Sequence, residues 1–101
     1  MRAIVIAKTG SSSVLDARTD WPKPTLGPNE VLVEMEYAGV NFVDVYQRTG
    51  LYPLWLPSVA GREGAGMVRV IGSAAPAELE LHVGDRVAVF HTRHLCRICL
   101  C

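Results

Sequence analysis

The most regular hydrophobic pattern in the chain runs from residue 31 to residue 37. Apolar or aromatic side chains occupy every second position and two glutamates lie between them: Val31, Val33, Met35 and Tyr37 alternate with Leu32, Glu34 and Glu36. Successive side chains of a strand point to opposite faces of its sheet, so this period of two is typical of a half-buried strand. The sequence therefore predicts a strand from Val31 to Tyr37.

Other short segments are rich in β-branched and apolar residues and are bounded by turn-forming residues. Such residues favour strands, whereas Gly, Pro, Asn and Ser clusters favour the turns that connect them. The predicted strands are Arg2 to Ala7, Val14 to Thr19, Gly64 to Ile71, Leu79 to Val83 and Val87 to Phe90. The Ser-rich segment between the first two predicts a hairpin, and Trp21 to Asn29, with three prolines, predicts an edge or loop passage.

The hydrophobic period changes between Asn41 and Thr49. Phe42, Val45, Tyr46 and Thr49 follow helical spacing. Asn41 suits the N-cap and Gly50 suits the position after the last helical residue, where a left-handed conformation is common. A short helix is predicted here, and Asp44 and Arg48, four residues apart in the favourable order, are expected to form an ion pair on it.

These elements predict a mostly β fold, a small and partly open barrel of six short strands with one short helix. The chain of 101 residues, half of them apolar, is large enough for one such domain and too short for two. Ten basic and ten acidic residues give a formal net charge of zero, so neither nucleic acid nor an anionic membrane is an expected partner. The apolar run from Ala3 to Ala7 is short of a secretory signal, and a cytoplasmic location is expected.

Candidate functional residues are concentrated between Tyr37 and Gly66. Taken singly, most have an ordinary structural explanation: Asn41 as a helix cap, Tyr46 on the apolar helix face, Tyr52 in a proline-flanked surface loop, and Arg62 with Glu63 as a solvated pair. Gly61, Gly64 and Gly66 are expected to serve backbone conformation and the close approach of chain segments.

Several motifs nevertheless occur in a fixed order and at compatible spacing. They are Asn41-Phe42-Val43-Asp44, Tyr46, Arg48, Gly50-Leu51-Tyr52-Pro53, Gly61-x-Glu63-Gly64-Ala65-Gly66 and Val83-Gly84-Asp85-Arg86-Val87. Together they resemble the N-terminal part of the zinc-independent quinone oxidoreductases, members of the medium-chain dehydrogenase/reductase superfamily. The resemblance covers Met1 to about Phe90 and implies a GroES-like domain over residues 1–90.

The resemblance also implies a function and its site. Asn41, Tyr46 and Tyr52 would line the cleft where the nicotinamide of NADPH meets a quinone or enone, with Arg48, Arg62 and Glu63 as weaker candidates and no acid or base among them. The role of Asn41, Tyr46 and Tyr52 would be to orient and polarise the acceptor carbonyl. The resemblance also allows a homodimer for the complete family enzyme.

A metal is not expected in the body of the domain. In the zinc alcohol dehydrogenases of the superfamily a Cys stands where this chain has Asn41 and a His where it has Arg62, and Glu63 alone cannot hold zinc. Alcohol oxidation needs a Lewis acid, whereas a quinone or enone accepts hydride into an electron-poor ring. The missing ligands therefore agree with quinone or enone reduction.

The segment 91–101 departs from the family pattern and holds all three cysteines, Cys96, Cys99 and Cys101. One interpretation is a tail read in a wrong frame or through an unspliced intron. The other is a small zinc-binding module, because the tail also carries His91 and His94.

The sequence contains no glycine-rich fingerprint of a dinucleotide-binding fold. NADPH would therefore be held by a second domain, and the chain alone is expected to be inactive. The alternative function is a non-catalytic fragment that binds a partner through an open barrel edge.

Overall fold

The computed structural model describes residues 1–75 and 80–90 of the chain. The strands are β1 (Ala3–Ile6), β2 (Leu15–Arg18), β3 (Val31–Ala38), β4 (Ser58–Val59), β5 (Glu63–Ile71) and β6 (Arg86–Phe90). A 3-10 helix spans Ser12–Val14, and the helix α1 spans Phe42–Thr49. The segment 91–101, for which zinc binding and an altered reading frame were the two interpretations, lies outside the described residues.

Within the described residues, the strands form two antiparallel three-stranded sheets. One sheet has the order β2-β1-β4 and the other has the order β3-β5-β6. The pairing of β1 with β2 confirms the predicted hairpin. The mostly β fold with one helix is likewise confirmed, although in the described part of the chain the two sheets do not close into a barrel.

The core is small and apolar. Its buried residues come from β1, β3 and β5: Ala3, Val5, Ile6, Val33, Met35 and Val68. Val33 and Met35 lie on the face of β3 that alternation predicted to be buried. Ile6 and Val68 are buried almost completely, and burying side chains of this size contributes about 1.5–3 kcal/mol each.

Tyr37 does not follow the predicted alternation. A register shift between Met35 and Tyr37 places Met35 opposite Gly66 and Tyr37 opposite Ala65, so Glu36 is an extra residue in the ladder. Such a bulge changes the direction of the strand and breaks its period of two. Tyr37 is consequently 66% exposed although Val33 and Met35 are buried.

The prediction of a strand from Leu79 to Val83 is wrong for the residues of this range that the structure describes. Leu81 and His82 belong to no strand, and Val83 with Gly84 forms a turn. The carboxylate of Asp85 accepts a hydrogen bond from the His82 backbone N–H at 2.7 Å, and this bond favours a turn over an extended ladder. Leu79 lies outside the described residues.

In the described ranges no helix is long and apolar enough to cross a membrane.

Candidate functional site

Helix α1 carries two of the predicted site residues, Asn41 at its start and Tyr46 in its second turn. Asn41 has an extended backbone, as an N-cap residue should, and its N–H donates to the Asp44 carboxylate at 2.7 Å. The Asp44 N–H in turn donates to the Asn41 carbonyl oxygen at 3.0 Å. Gly50 ends the helix in the left-handed conformation, with φ of 89°, which confirms both predicted boundaries.

Tyr46 and Tyr52 lie against each other. Their ring centroids are 5.3 Å apart and the rings meet edge to face at 65°, an arrangement that aromatic pairs prefer. The Tyr52 backbone N–H also donates to the Tyr46 carbonyl oxygen at 3.1 Å, which closes the loop back onto the helix. The structure therefore brings together two residues that the sequence resemblance had only placed in one cleft.

Phe42 extends this pair along the helix. It is four residues before Tyr46, hence on the same face, and the two ring centroids are 6.3 Å apart. All three rings remain accessible: Phe42 is 78%, Tyr46 37% and Tyr52 49% exposed. We call Phe42, Tyr46 and Tyr52 the aromatic cluster. It offers flat apolar faces and two phenol hydroxyls to a ligand.

The surface near the aromatic cluster in sequence is also apolar. Leu51 is exposed, and Trp55 has 89% of its surface exposed. Sequence reasoning did not select Phe42, Leu51 or Trp55 as site residues. The sequence does contain a feature that could have indicated them, because residues 49–59 include no charged side chain. Exposed apolar side chains that are close together are common at ligand or domain interfaces.

Arg48 does not form the predicted ion pair with Asp44. Its guanidinium donates through Nη1 to the Gly10 carbonyl oxygen at 2.6 Å, and the Gly10 N–H donates to the Arg48 carbonyl oxygen at 2.9 Å. The Asp44 carboxylate is directed instead to the Asn41 N–H through Oδ2. Arg48 binds Gly10 rather than Asp44 because a hydrogen bond from a charged donor to a carbonyl oxygen is more stabilising than an exposed ion pair on a helix.

The glycines of the Gly61 to Gly66 motif have the structural roles that the sequence predicted. Gly61 has a φ of 101°, which side-chain-bearing residues rarely adopt. At Gly64 a Cβ would overlap the Tyr37 carbonyl oxygen and the Met35 side chain, and at Gly66 it would overlap the Glu34 carbonyl oxygen. Gly64 and Gly66 therefore allow β5 to approach β3 closely, whereas Gly61 serves backbone conformation.

Arg62 and Glu63 are half-buried rather than fully exposed, and Glu63 belongs to a strand rather than to a loop. Glu63 begins β5, and its carbonyl oxygen accepts the Gly39 N–H at 3.0 Å. A Cβ at Gly39 would overlap the Glu63 side chain, which shows that this side chain lies over Gly39. Glu63 therefore joins β5 to the segment between β3 and α1.

In the described ranges, no three His, Cys, Asp or Glu side chains lie together in a way that could hold a metal ion.

Comparison with known proteins gives a consistent set of relatives. Residues 27–101 match the alcohol dehydrogenase GroES-like domain, a range that continues beyond Phe90. The chain is 45% identical over 85 residues to a probable quinone oxidoreductase of Schizosaccharomyces pombe, covering 83% of this chain and 25% of that protein. It is 44% identical over 88 residues to a quinone oxidoreductase of Pseudomonas aeruginosa, covering 86% of this chain and 26% of the relative.

Solved structures agree with these relatives. The quinone oxidoreductase of Escherichia coli complexed with NADPH superimposes with a TM-score of 0.81 at 37% identity, covering 92% of this chain and 28% of that chain. The described fold is thus similar to one part of these larger proteins. This chain spans about a quarter of the length of the curated relatives it matches.

Proposed function

We propose that this chain, which belongs to the alcohol dehydrogenase GroES-like domain family of the medium-chain dehydrogenase/reductase superfamily, forms the substrate side of an NADPH-dependent quinone or enone oxidoreductase. The observation that carries the proposal is the edge-to-face pair of Tyr46 and Tyr52 at the protein surface. A quinone is a flat ring with two carbonyl oxygens, and it is recognised best by aromatic faces combined with hydrogen-bond donors.

The described residues fit the nicotinamide end of the cofactor and not its pyrophosphate. Tyr46 and Tyr52 present accessible rings, and Asn41 provides an amide at the beginning of the same helix. The sequence has no glycine-rich strand–turn–helix that would hold phosphates. NADPH, when bound, supplies the hydride, and its phosphates would be held outside this domain.

The residues of this chain would bind and orient the acceptor. The aromatic cluster would stack against the acceptor ring and exclude water from one side of it. Hydrogen bonds from the Tyr52 hydroxyl and the Asn41 amide to an acceptor oxygen would stabilise the negative charge that develops there. Arg48, Arg62 and Glu63 would support the site from its edges, without a role as acid or base.

Zinc is not needed for this chemistry, because the acceptor is already electron-poor. The proposal therefore includes a metal-free domain body, in which Asn41 and Arg62 occupy the positions of zinc ligands in related alcohol dehydrogenases. A cytoplasmic location and a homodimeric complete enzyme are further parts of it.

Titration of the 101-residue chain with a tetrasubstituted quinone tests the proposal. Such a quinone resists addition to the thiols of Cys96, Cys99 and Cys101, so shifts of tyrosine ring resonances report reversible binding. Tyr52→Ala should weaken binding roughly two- to tenfold, the effect expected for the loss of one aromatic contact. Tyr37→Ala is the matched control, since Tyr37 is an exposed tyrosine of β3. Equal affinity in both variants and the unsubstituted chain would contradict the proposal.

A second candidate function rests on β6. Among the residues that the structure describes, this strand pairs with β5 alone and lies at the edge of its sheet. An extended segment of a partner could add to that edge through main-chain hydrogen bonds. Protection of β6 amide protons from exchange on partner addition, with no change at the aromatic cluster, would favour this function over quinone binding.

A further inference from the structure

Helix α1 is short and needs a tertiary contact to hold it in a fixed position. It has eight residues, none of them buried, although it carries Asn41 at its N-cap and Tyr46 in its second turn. Helices of this length are marginal in water unless tertiary contacts hold them. The bond between the Asn41 N–H and Asp44 is local and fixes the start of the helix only relative to itself. Another contact must fix α1 on the sheets.

Arg48 makes that contact. Its Nη1 donates to the Gly10 carbonyl oxygen, and its own carbonyl oxygen accepts the Gly10 N–H, so both backbone groups of one glycine are bound by one residue. The two residues are 38 positions apart in sequence. A Cβ at Gly50 would lie 3.3 Å from the Thr9 side chain, so the end of α1 packs on this same turn.

We propose that Arg48 is the positioning residue for the Tyr46–Tyr52 pair. Arg48 lies between the two tyrosines in sequence, and the Tyr46 carbonyl oxygen accepts the N–H of Tyr52 at 3.1 Å. Fixing Arg48 on the Gly10 turn therefore fixes both the helical turn that carries Tyr46 and the loop that returns Tyr52 to it. Arg48 does not contact the acceptor. This inference rests on the proposed function of the tyrosine pair as the lining of the acceptor cleft.

An arginine suits the task because a guanidinium stays charged and donates in a fixed direction. Its hydrogen bond to a carbonyl is stronger than one between neutral groups, and this bond is partly buried. Methionine preserves most of the length and apolar volume of the side chain but donates no hydrogen bond. Lysine keeps a charged donor without the planar fork. Comparing the two variants therefore distinguishes the effect of the hydrogen bond from the effect of side-chain packing.

The experiment compares nuclear Overhauser cross-peaks between the Tyr46 and Tyr52 rings in the 101-residue chain and in variants. Arg48→Met should lose these cross-peaks and shift both sets of ring resonances toward those of the exposed Tyr37. Methyl resonances of Val33, Met35 and Val68 should remain unchanged, because the core lies in the strands. Arg48→Lys should restore part of the cross-peak intensity. Arg86→Met, which removes an exposed ion pair with Glu36, is the matched control and should leave the rings paired.

Three outcomes would overturn the inference. Cross-peaks of full intensity in Arg48→Met would show that the tyrosines hold each other without the Gly10 contact. Loss of the core methyl pattern would show that Arg48 maintains the fold as a whole. Loss of cross-peaks in Arg86→Met as well would show that any removed surface charge has the same effect.

The outcome is independent of whether the proposed function is correct. No quinone or cofactor enters the cross-peak experiment, so paired rings in wild type and unpaired rings in Arg48→Met support the positioning role by themselves. The quinone titration then shows whether the position of the rings matters for binding. Arg48→Met should weaken quinone binding by about the same factor as Tyr52→Ala. Unchanged affinity in Tyr52→Ala contradicts the function, whereas paired rings in Arg48→Met contradict the positioning.

Discussion

Gly66 is a buried glycine at the point where β5 passes closest to β3. It pairs with Met35 on one side and with Val87 on the other. A methyl group there would overlap the Glu34 carbonyl oxygen, and backbone cannot move aside as a side chain can. Gly66→Ala should lower the free energy of unfolding by about 3 kcal/mol, the upper part of the range for overpacking. Urea denaturation followed by tryptophan fluorescence measures this loss.

Gly27→Ala is the control for that substitution. The nearest atom to a Cβ at Gly27 is Oε2 of the Glu30 side chain, at 2.9 Å, and a flexible side chain can give way. Its effect should stay within about 1 kcal/mol. Equal losses in the two variants would mean that both report general glycine propensity rather than close strand approach.

Arg18 changes the titration of the Asp20 carboxyl group. The Arg18 side chain donates from Nε and Nη2 to its two oxygens, each at 2.9 Å, and these bonds lower the pKa of Asp20 below its ordinary value. Because the folded-state pKa of Asp20 is depressed, the pair stabilises the fold at pH values above the unfolded-state pKa. This stabilisation is lost as the pH falls through the folded-state pKa. Both side chains are exposed, so the stabilisation is small.

Arg18→Gln should therefore raise the pKa of Asp20 toward its ordinary value, as measured by NMR titration of the carboxyl carbon. Arg86→Gln, a change at another exposed cation, should leave it unmoved. An Asp20 pKa that stays low without Arg18 would assign the shift to the backbone hydrogen bond, the second contribution.

The candidate site could be predicted from the sequence only in part. Asn41 at the helix start and Gly50 at its end follow local chemistry, which a sequence displays directly. The partner of Arg48 could not be predicted, because Gly10 is distant in sequence and Asp44 offered a local alternative. The pairing of Tyr46 with Tyr52 depends on how the loop 51–57 returns to the helix, and no local pattern encodes that return.

At the scale of elements, α1 begins with a contact that can be removed selectively. Asp44 Oδ2 accepts the Asn41 N–H, whereas Oδ1 is buried without a hydrogen-bond partner in the described part of the chain. Asp44→Ala removes a favourable capping bond and a negative charge at the positive end of the helix. It also removes the cost of the unpartnered oxygen, so the net loss should be about 0.5–1 kcal/mol.

Amide hydrogen exchange localises this effect. Asp44→Ala should speed exchange at α1 amides and leave the β5 amides unchanged, since β5 is held by two neighbouring strands. Gln47→Ala is the control on the same helix, because alanine is the better helix former and no cap is lost. Slower or unchanged exchange in α1 of Asp44→Ala would mean that the unpartnered oxygen outweighs the cap.

The strands show where hydrophobic periodicity is sufficient. β3, β5 and β6 lie within a residue or two of their predicted bounds, since each has a regular apolar pattern and flanking turn residues. β4 has only two residues, Ser58–Val59, and exists because Val5 and Ile6 of β1 pair with it. The bulges that put Glu36 and Arg69 on the surface arise from register between strands. Such features depend on tertiary pairing and leave little trace in one strand's own sequence.

At the scale of the whole molecule, the apolar surface is distributed unevenly. The buried core draws on β1, β3 and β5, whereas the aromatic cluster, Leu51 and Trp55 remain exposed. A core and an exposed apolar surface in one small domain are expected when that surface meets a ligand or another domain. The curated relatives in the comparisons are more than three times as long as this chain, since the 85 residues matched in one of them make up 25% of its length.

The 101-residue chain should not oxidise NADPH with a quinone, even though it carries the proposed acceptor-side residues. Hydride transfer requires the nicotinamide carbon within about 3.5 Å of the acceptor, and holding both there supplies much of the rate. No glycine-rich turn in the sequence can hold the pyrophosphate. Hydrogen bonds from Asn41 and Tyr52, worth roughly 1 kcal/mol each, cannot offset the cost of immobilising a dinucleotide.

The assay follows NADPH absorbance with a tetrasubstituted quinone, first with the chain alone and then with a separately expressed cofactor domain from a relative. Activity should be absent in the first case, and any activity in the second should fall in Tyr52→Phe and Asn41→Ala but not in Tyr37→Phe. Turnover by the chain alone that Tyr52→Phe and Asn41→Ala abolish would require a nucleotide site within these 101 residues. Because Tyr37 is an exposed tyrosine outside the aromatic cluster, loss of activity in Tyr37→Phe would place the acceptor elsewhere on the domain.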